Sequence, residues 1–509
     1  MALTILTTTG AGNDATGDGE IYVVPEDVVL GDDNSSAEFD TNDFDGVTLV
    51  VEGNLLNNGS GNQAPIHVSV DSIDTVIIIE ETGTLSGETG ITASGDQTYI
   101  NNSGTIYSVN TAILGAGTGL IVENYGTISA ARFGNFGYDA IRSDDGESHV
   151  LNAGSIFSND EGVFLNGDNS SVTNSGMISA NGVAIDLHGD NARLSNTGTI
   201  SSITTFAAWL RSDGSLVTNS GLIEGNTGLY LNESGGTSPI TEAEVENSGE
   251  IKGEGSAIVV DDGTILVANS GLLSGNDLTI DTATDATLVL TNSGIVESRA
   301  AETAVLGGNT TDMIINTGQI LGDVEMRDGD DMFVTNGAGV TTGDILLEDG
   351  NDMAIGGASG DRISGGGDDD VIFGGGGVDE LDGGAGLDIL LGGTGTDTIT
   401  GGTGGDFLLG EDGADVFLFT SASDSTTADP DSILDFERGE DIIDLYTITD
   451  TLQFIGNDDF SVTGQNEIRV REIGGVLTVA EVDLGGNGSI DMEIIIYGAV
   501  DMDRADFGL

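Results

Sequence analysis

Cysteine is absent from this 509-residue chain, so neither a disulfide nor thiol chemistry can support it. For an exported protein that leaves bound metal as the available staple. Basic residues are almost as scarce. Lys252 is the only lysine, and 12 Lys and Arg face 86 Asp and Glu, for a formal charge of −74. Such a chain repels itself unless cations are supplied. It lacks the clustered Lys and Arg that neutralise nucleic-acid phosphates, and the same shortage excludes anionic membrane surfaces. Histidine occurs at positions 67, 149 and 188 only. None of the three opens an HExxH motif, which excludes a zinc-protease centre. No apolar run approaches membrane-spanning length. Residues 1–30 carry no basic stretch followed by an apolar one, so a Sec-type leader is not expected. Proline occurs four times, and no stretch sustains a helical period.

What is abundant is glycine, 82 residues, and aspartate in register with it. Residues 347–418 divide without a gap into the nine-residue blocks LEDGNDMAI, GGASGDRIS, GGGDDDVIF, GGGGVDELD, GGAGLDILL, GGTGTDTIT, GGTGGDFLL and GEDGADVFL. The sixth position is always aspartate: Asp352, Asp361, Asp370, Asp379, Asp388, Asp397, Asp406 and Asp415. The eighth is always apolar, from Ala354 to Phe417. Glycine permits the positive φ of tight turns. Such turns aim carbonyl oxygens inward, and a hard cation takes six to eight oxygens in irregular geometry.

These blocks resemble the GGxGxDxUx nonapeptide of the RTX (repeats-in-toxin) family, a calcium-binding parallel β-roll. The resemblance implies two blocks per coil and one ion shared by turns i and i+2. The aspartate pairs are then 352/370, 361/379, 370/388, 379/397, 388/406 and 397/415, giving up to about six Ca²⁺ sites. Carbonyl ligands are expected from Gly374, Gly376, Gly383, Ala385, Gly392, Thr394, Gly401 and Thr403. Leu347 and Glu348 depart from the first glycine pair, and Ser359 and Asp368 from the fourth-position glycine. The following segment, residues 419–445, and the close at 482–498 with Asp506-Phe507-Gly508-Leu509 are similar to the C-terminal region of serralysin-type metalloproteases. That resemblance implies type I export through an uncleaved C-terminal signal. Asp483, Asn487 and Asp491 form either a further cation turn or an ordinary polar one.

Upstream the unit is longer and built on N-[ST]-G-x-[IL]. It recurs with its asparagine at 102, 124, 152, 174, 196, 219, 247, 269, 292 and 316. Each repeat carries about three short segments with period-2 alternation, a strand signal. A fixed period near 22 residues reads as a right-handed parallel β-helix, with the asparagines stacking into an internal ladder. Asp312-Met313, Asp331-Met332 and Asp352-Met353 link the two repeats, and the DGDD run at 328–331 looks like a degenerate calcium turn. The expected organisation is an N-terminal cap or exchangeable strand at 1–40, a β-helix at 41–310, hybrid coils at 311–346, the calcium roll at 347–418 and a β-rich cap with the export signal at 419–509.

An all-β solenoid with no assembled catalytic constellation suits a secreted, calcium-dependent structural protein: a surface layer, an extracellular filament, or a matrix or adhesion element. Self-association through calcium and solenoid ends is the expected partnership, with cell-surface polysaccharide as a second partner. No nucleic-acid partner and no membrane insertion are expected. The alternative is a secreted polysaccharide lyase, hydrolase or C5-epimerase. The architecture resembles that of mannuronan C5-epimerases, a β-helix followed by RTX modules. Such an enzyme would need His188, Arg193 and Arg211 to meet with aromatic residues on one flank.

Overall fold

The computed structural model describes residues 3–6, 15–30, 39–57, 64–131, 138–211, 213–232 and 242–509. The chain divides into two compact units, Met1–Ile280 and Asp281–Leu509, each taken by itself below. Both are built from stacked short strands, so the chain forms a parallel β-solenoid with almost no helix.

In the first unit each coil lays one strand on each of three faces. One face runs through Thr48–Val51, Val76–Ile79, Tyr99–Asn102, Ile121–Asn124, His149–Asn152, Ser171–Asn174, Arg193–Asn196, Leu216–Asn219 and Ala243–Asn247, each parallel to the last. Within a strand the side chains alternate, so in Ser171–Asn174 Val172 and Asn174 point inward and Thr173 outward. Coils therefore deliver at least one aliphatic side chain per face, and two on the third face where Val163 is joined by Leu165 and Ile185 by Leu187. Val150, Val172 and Leu194 stack on the first face, Ile156, Ile178 and Ile200 on the second, and Ile141, Val163 and Ile185 on the third, all at most 1% exposed. Each such burial contributes about 1.5–3 kcal/mol.

Part of the segment expected as an N-terminal cap, residues 1–2, 7–14 and 31–38, lies outside the described residues. Of the remainder, Leu3–Ile5 pairs with Ile21–Val24, and Ile21–Val24 pairs with Thr48–Val51, in the same parallel sense as the later coils.

The asparagine ladder forms as the repeat implies. Asn102 Nδ2 donates to Asn124 Oδ1, Asn124 to Asn152, Asn152 to Asn174, Asn174 to Asn196, Asn196 to Asn219, Asn219 to Asn247 and Asn247 to Asn269, all at 2.7–2.8 Å. The adjoining glycine is required by space. A Cβ on Gly176 would stand 2.1 Å from the carbonyl oxygen of Gly154, one coil away, and Gly198 meets Gly176 in the same way. Asn152 also donates to the carbonyl of Met177 at 3.1 Å. Asn152→Ala should therefore lower stability by about 3 kcal/mol, because it strands a donor on Asn124 and an acceptor on Asn174 in the core. Denaturant unfolding in calcium would measure this. A loss below ~0.5 kcal/mol would show that the ladder is dispensable.

The second unit begins with three faces and continues with two. Ile295–Ser298, Gln319–Leu321 and Val340–Thr341 form its third face, and Val340–Thr341 is its last strand. From there coils repeat every 18 residues, with Met353 opposite Val371, Val371 opposite Ile389 and Ile389 opposite Phe407. Ile372, Leu390 and Leu408 fill one side of the flattened core, and Ile363, Leu381, Ile399 and Phe417 the other. An antiparallel meander, Glu467–Ile473, Leu477–Asp483 and Met492–Tyr497, follows. Met492–Tyr497 adds in parallel to Asp431–Ile433, which continues the roll beside Phe407–Gly413. The last strand, Phe507–Gly508, pairs with Ile442–Asp444. These strands cover roll edges that would otherwise present unpaired backbone.

Candidate metal centre

The sixth-position aspartates form two columns in the second unit. Each backbone N–H donates to the carboxylate one coil on. In the first column Asp331 N donates to Asp352 Oδ1 at 2.7 Å, Asp352 to Asp370 at 2.9 Å, Asp370 to Asp388 at 2.8 Å, Asp388 to Asp406 at 2.9 Å and Asp406 to Asp431 at 3.1 Å. In the second Asp361 donates to Asp379, Asp379 to Asp397, Asp397 to Asp415 and Asp415 to Asp441, at 2.7–3.0 Å. Asp361, which heads the second column, has both oxygens unpaired, while one carboxylate oxygen of each acceptor is used to hold the register.

The other oxygen is not. Oδ2 of Asp331, Asp352, Asp361, Asp370, Asp379, Asp388, Asp397, Asp406, Asp415 and Asp431 is buried with no hydrogen-bond partner, ten in all. A buried, unpaired carboxylate oxygen is costly. At the column ends the pattern stops. Asp312 Oδ2 accepts from Gly308 N and Asp441 Oδ2 from Glu437 N, both at 2.7 Å.

Glycine keeps the space beside each open oxygen. A Cβ on Gly383 would lie 2.4 Å from Asp388 Oδ2 and 2.5 Å from the Gly401 carbonyl oxygen. At Gly374 the same atoms are Asp379 Oδ2 and the Gly392 carbonyl, and at Gly392 they are Asp397 Oδ2 and the Gly410 carbonyl. A carboxylate oxygen and a carbonyl oxygen of the next coil therefore converge beside Gly374, Gly383 and Gly392. Gly401 faces Asp406 Oδ2. The third-position residues stack in register, Gly376 on Thr394 and Ala385 on Thr403. Oxygen-only cradles of this kind fit a hard cation such as Ca²⁺. They are rich in carbonyls, which agrees with the absence, among the described residues, of any cluster of three or more His, Cys, Asp or Glu.

The departures from the repeat preserve its backbone. Glu348 and Asp368 stand where glycine is usual and still adopt φ of 76° and 70°. Asp331 and Asp431 lie outside the nine-residue frame, at steps of 21 and 25 residues rather than 18. The Asp-Met series and the DGDD run pointed to Asp331, whereas Asp431 shows only in the stacked fold. Asp483, Asn487 and Asp491 are occupied differently. Asp483 accepts from Asn487 N and Gly488 N, Asp491 from Leu484 N, and Asn487 from Ser489 N, as in a polar turn.

Without a cation the carboxylates resist ionisation. Burial pushes Asp352, Asp361 and Asp388 up to about 7, Asp370 and Asp331 to about 8, and Asp379, Asp406 and Asp415 to about 6. Asp431 rises to about 9 through burial and then the charge of Asp406.

Two in-register columns of aspartate on glycine turns define an RTX β-roll. Residues 240–508 match the family model described as Peptidase M10 serralysin C terminal, and the chain belongs to that family. Serralysin-type RTX repeats generally bind calcium, and RTX proteins are typically exported by type I secretion. Among solved structures, the solution structure of the AlgE6R3 subunit of the Azotobacter vinelandii mannuronan C5-epimerase is 26% identical over 30% of this chain and 80% of that one, with a TM-score of 0.16. No curated protein matches.

The residues singled out for polysaccharide chemistry are partly brought together, in the first unit. Register places Arg142, Phe164, Asp186, Trp209 and Tyr230 in one outward row across five coils. Asp186 is 1% exposed. It takes two hydrogen bonds from Arg211, at 2.8 and 3.1 Å, and lies 3.2 Å from His188 Nε2. Arg193 is elsewhere, on the strand row between Ser171 and Leu216. His67 sits beside Asp40, and His149 between Ser171 and Glu147.

Proposed function

We propose that this chain is a secreted, calcium-dependent structural protein. In this reading it is exported unfolded by a type I system and hardened by calcium outside the cell. There it self-associates as a surface layer, filament or matrix element. The observation that carries the reading is the set of ten column aspartates whose Oδ2 is buried and unpaired, for which bound cations supply the missing partner. Several ions, up to about six in the nonapeptide run, are the expected complement. The C-terminal end supports export ahead of folding. Phe507 is only 5% exposed, and Asp506 is held by Arg438 at 3.1 Å. A transporter that reads these residues must meet them before the fold closes. Calcium between anionic protomers offsets the repulsion of a chain with charge −74.

Electron microscopy and light scattering, in millimolar calcium and in chelator, test the assembly. Filaments, sheets or large particles should appear in calcium and disperse on chelation. Compact monomers in both conditions at high concentration would overturn the structural reading.

A further inference from the structure

The outward row of the first unit has a composition that the calcium reading leaves unused. Phe206 and Tyr230 stack with ring centroids 4.3 Å apart, and Trp209 stands edge-on to both. Trp209 and Tyr230 are half-buried; the Arg211 guanidinium covers one face of Trp209, 3.0 Å from the ring centroid, and part of each ring's surface stays open. Next to them Asp186, Arg211 and His188 form a fixed polar rail, and His188 packs on Phe164 at 4.8 Å. Aromatic faces beside a planar, pre-oriented set of donors and acceptors bind ligands that present both apolar C–H faces and hydroxyls. Neighbouring rungs lie ~4.8 Å apart, so the row extends over several coils and suits a chain rather than a single small molecule.

Charge narrows the occupant. Arg211 is neutralised by Asp186, and Arg142 by Asp139 and Asp144. Glu161 is pushed up to about 8 by burial and then by Asp139 and Asp186, so it is mostly neutral near pH 7. Among the described residues the patch has no spare positive charge for a uronate or a phosphate, and the whole chain repels polyanions.

We propose that Phe206, Trp209 and Tyr230, with Arg211 and His188, form a binding face for a neutral polysaccharide. The open parts of the rings take the apolar side of the sugar units, Arg211 and His188 bond their hydroxyls, and the buried Asp186 holds Arg211 and His188 in place. The face goes beyond the structural reading and does not depend on self-assembly.

Trp209 is the only tryptophan, so its fluorescence reports this face alone. The full-length protein in calcium would be run on native gels containing hydroxyethylcellulose, galactomannan or a soluble β-1,3-glucan, with alginate as the anionic comparison. The same polymers would be titrated against Trp209 emission. At least one neutral polymer should retard the protein and shift the emission, and alginate should do neither. Tyr230→Ala and Asp186→Asn should each weaken binding about tenfold or more. Tyr230 is half-exposed, so Tyr230→Ala decides the matter if Asp186→Asn does not fold. The proposal is overturned if no neutral polymer has an effect, if only alginate binds, or if folded Tyr230→Ala binds as the parent does. Assembly is read by scattering without polysaccharide, so its failure leaves this test intact.

Discussion

Chelating calcium at pH 8 should abolish the strand signal of the unit Asp281–Leu509 and spare that of Met1–Ile280. The decisive quantity is the cost of ionised, unpaired carboxylates. Asp388 is fully buried and pushed up to about 7 by burial, from an ordinary value of 3.8. Keeping that one group ionised in the fold costs on the order of 4 kcal/mol at pH 8. Ten aspartates of this unit carry an open buried oxygen. A whole domain is stable by only about 5–15 kcal/mol, so the metal-free roll cannot stay folded at that pH. The other unit has an aliphatic core and an asparagine ladder, neither of which titrates. Acid should partly replace the metal. The folded pKa values are raised, so the native roll binds more protons than the unfolded chain between about pH 4 and pH 8. Stability then falls as pH rises. Metal-free protein should regain strand content as pH is lowered from about 8 to about 5, with the full effect below the unfolded value near 4. Circular dichroism with limited proteolysis would follow both steps. Equal strand content with and without calcium at pH 8 would contradict the argument, as would no recovery in acid.

The parts of this design that were legible in the sequence are those with a constant step. The nine-residue period fixes 18 residues per coil, so Asp352, Asp370, Asp388 and Asp406 align without any knowledge of the fold. The asparagine ladder was legible for the same reason, although its steps vary between 22 and 28 residues, because N-S-G marks one corner of each coil. Extra residues enter elsewhere in the coil and leave the corner in place. Asp431 was hidden because 25 residues separate it from Asp406 and no glycine frame surrounds it. The row Arg142, Phe164, Asp186, Trp209, Tyr230 was hidden for a different reason. Its steps are regular, but its residue types differ at every coil, so it forms no motif. Grouping Arg193 with His188 because they share a coil failed on geometry. Successive strands of one coil lie on different faces, so sharing a coil does not make Arg193 and His188 neighbours.

Gly383→Ala should damage both the packing and the cation binding of the second unit. The added carbon would stand 2.4 Å from Asp388 Oδ2 and 2.5 Å from the Gly401 carbonyl oxygen. The second contact is with backbone held in a parallel ladder by Gly384 opposite Gly402 and Ala385 opposite Thr403, so it cannot swing aside. The methyl also occupies the space where the two oxygens converge, so it blocks cation coordination as well as packing. Backbone conformation is not the cause, since the positive φ in this turn belongs to Gly384 at 104° and Gly386 at 154°. Gly439→Ala is the matched control. Gly439 has φ of 83° and nothing within 4 Å of a built Cβ, so alanine there carries only the left-handed penalty of about 1–2 kcal/mol. Gly383→Ala should cost on the order of 4 kcal/mol, with at least one fewer calcium bound. Calorimetric calcium titration and denaturant unfolding of the two variants would separate the causes. If Gly383→Ala keeps the parent's calcium stoichiometry and loses no more stability than Gly439→Ala, the cradle beside Asp388 is not where the cation binds.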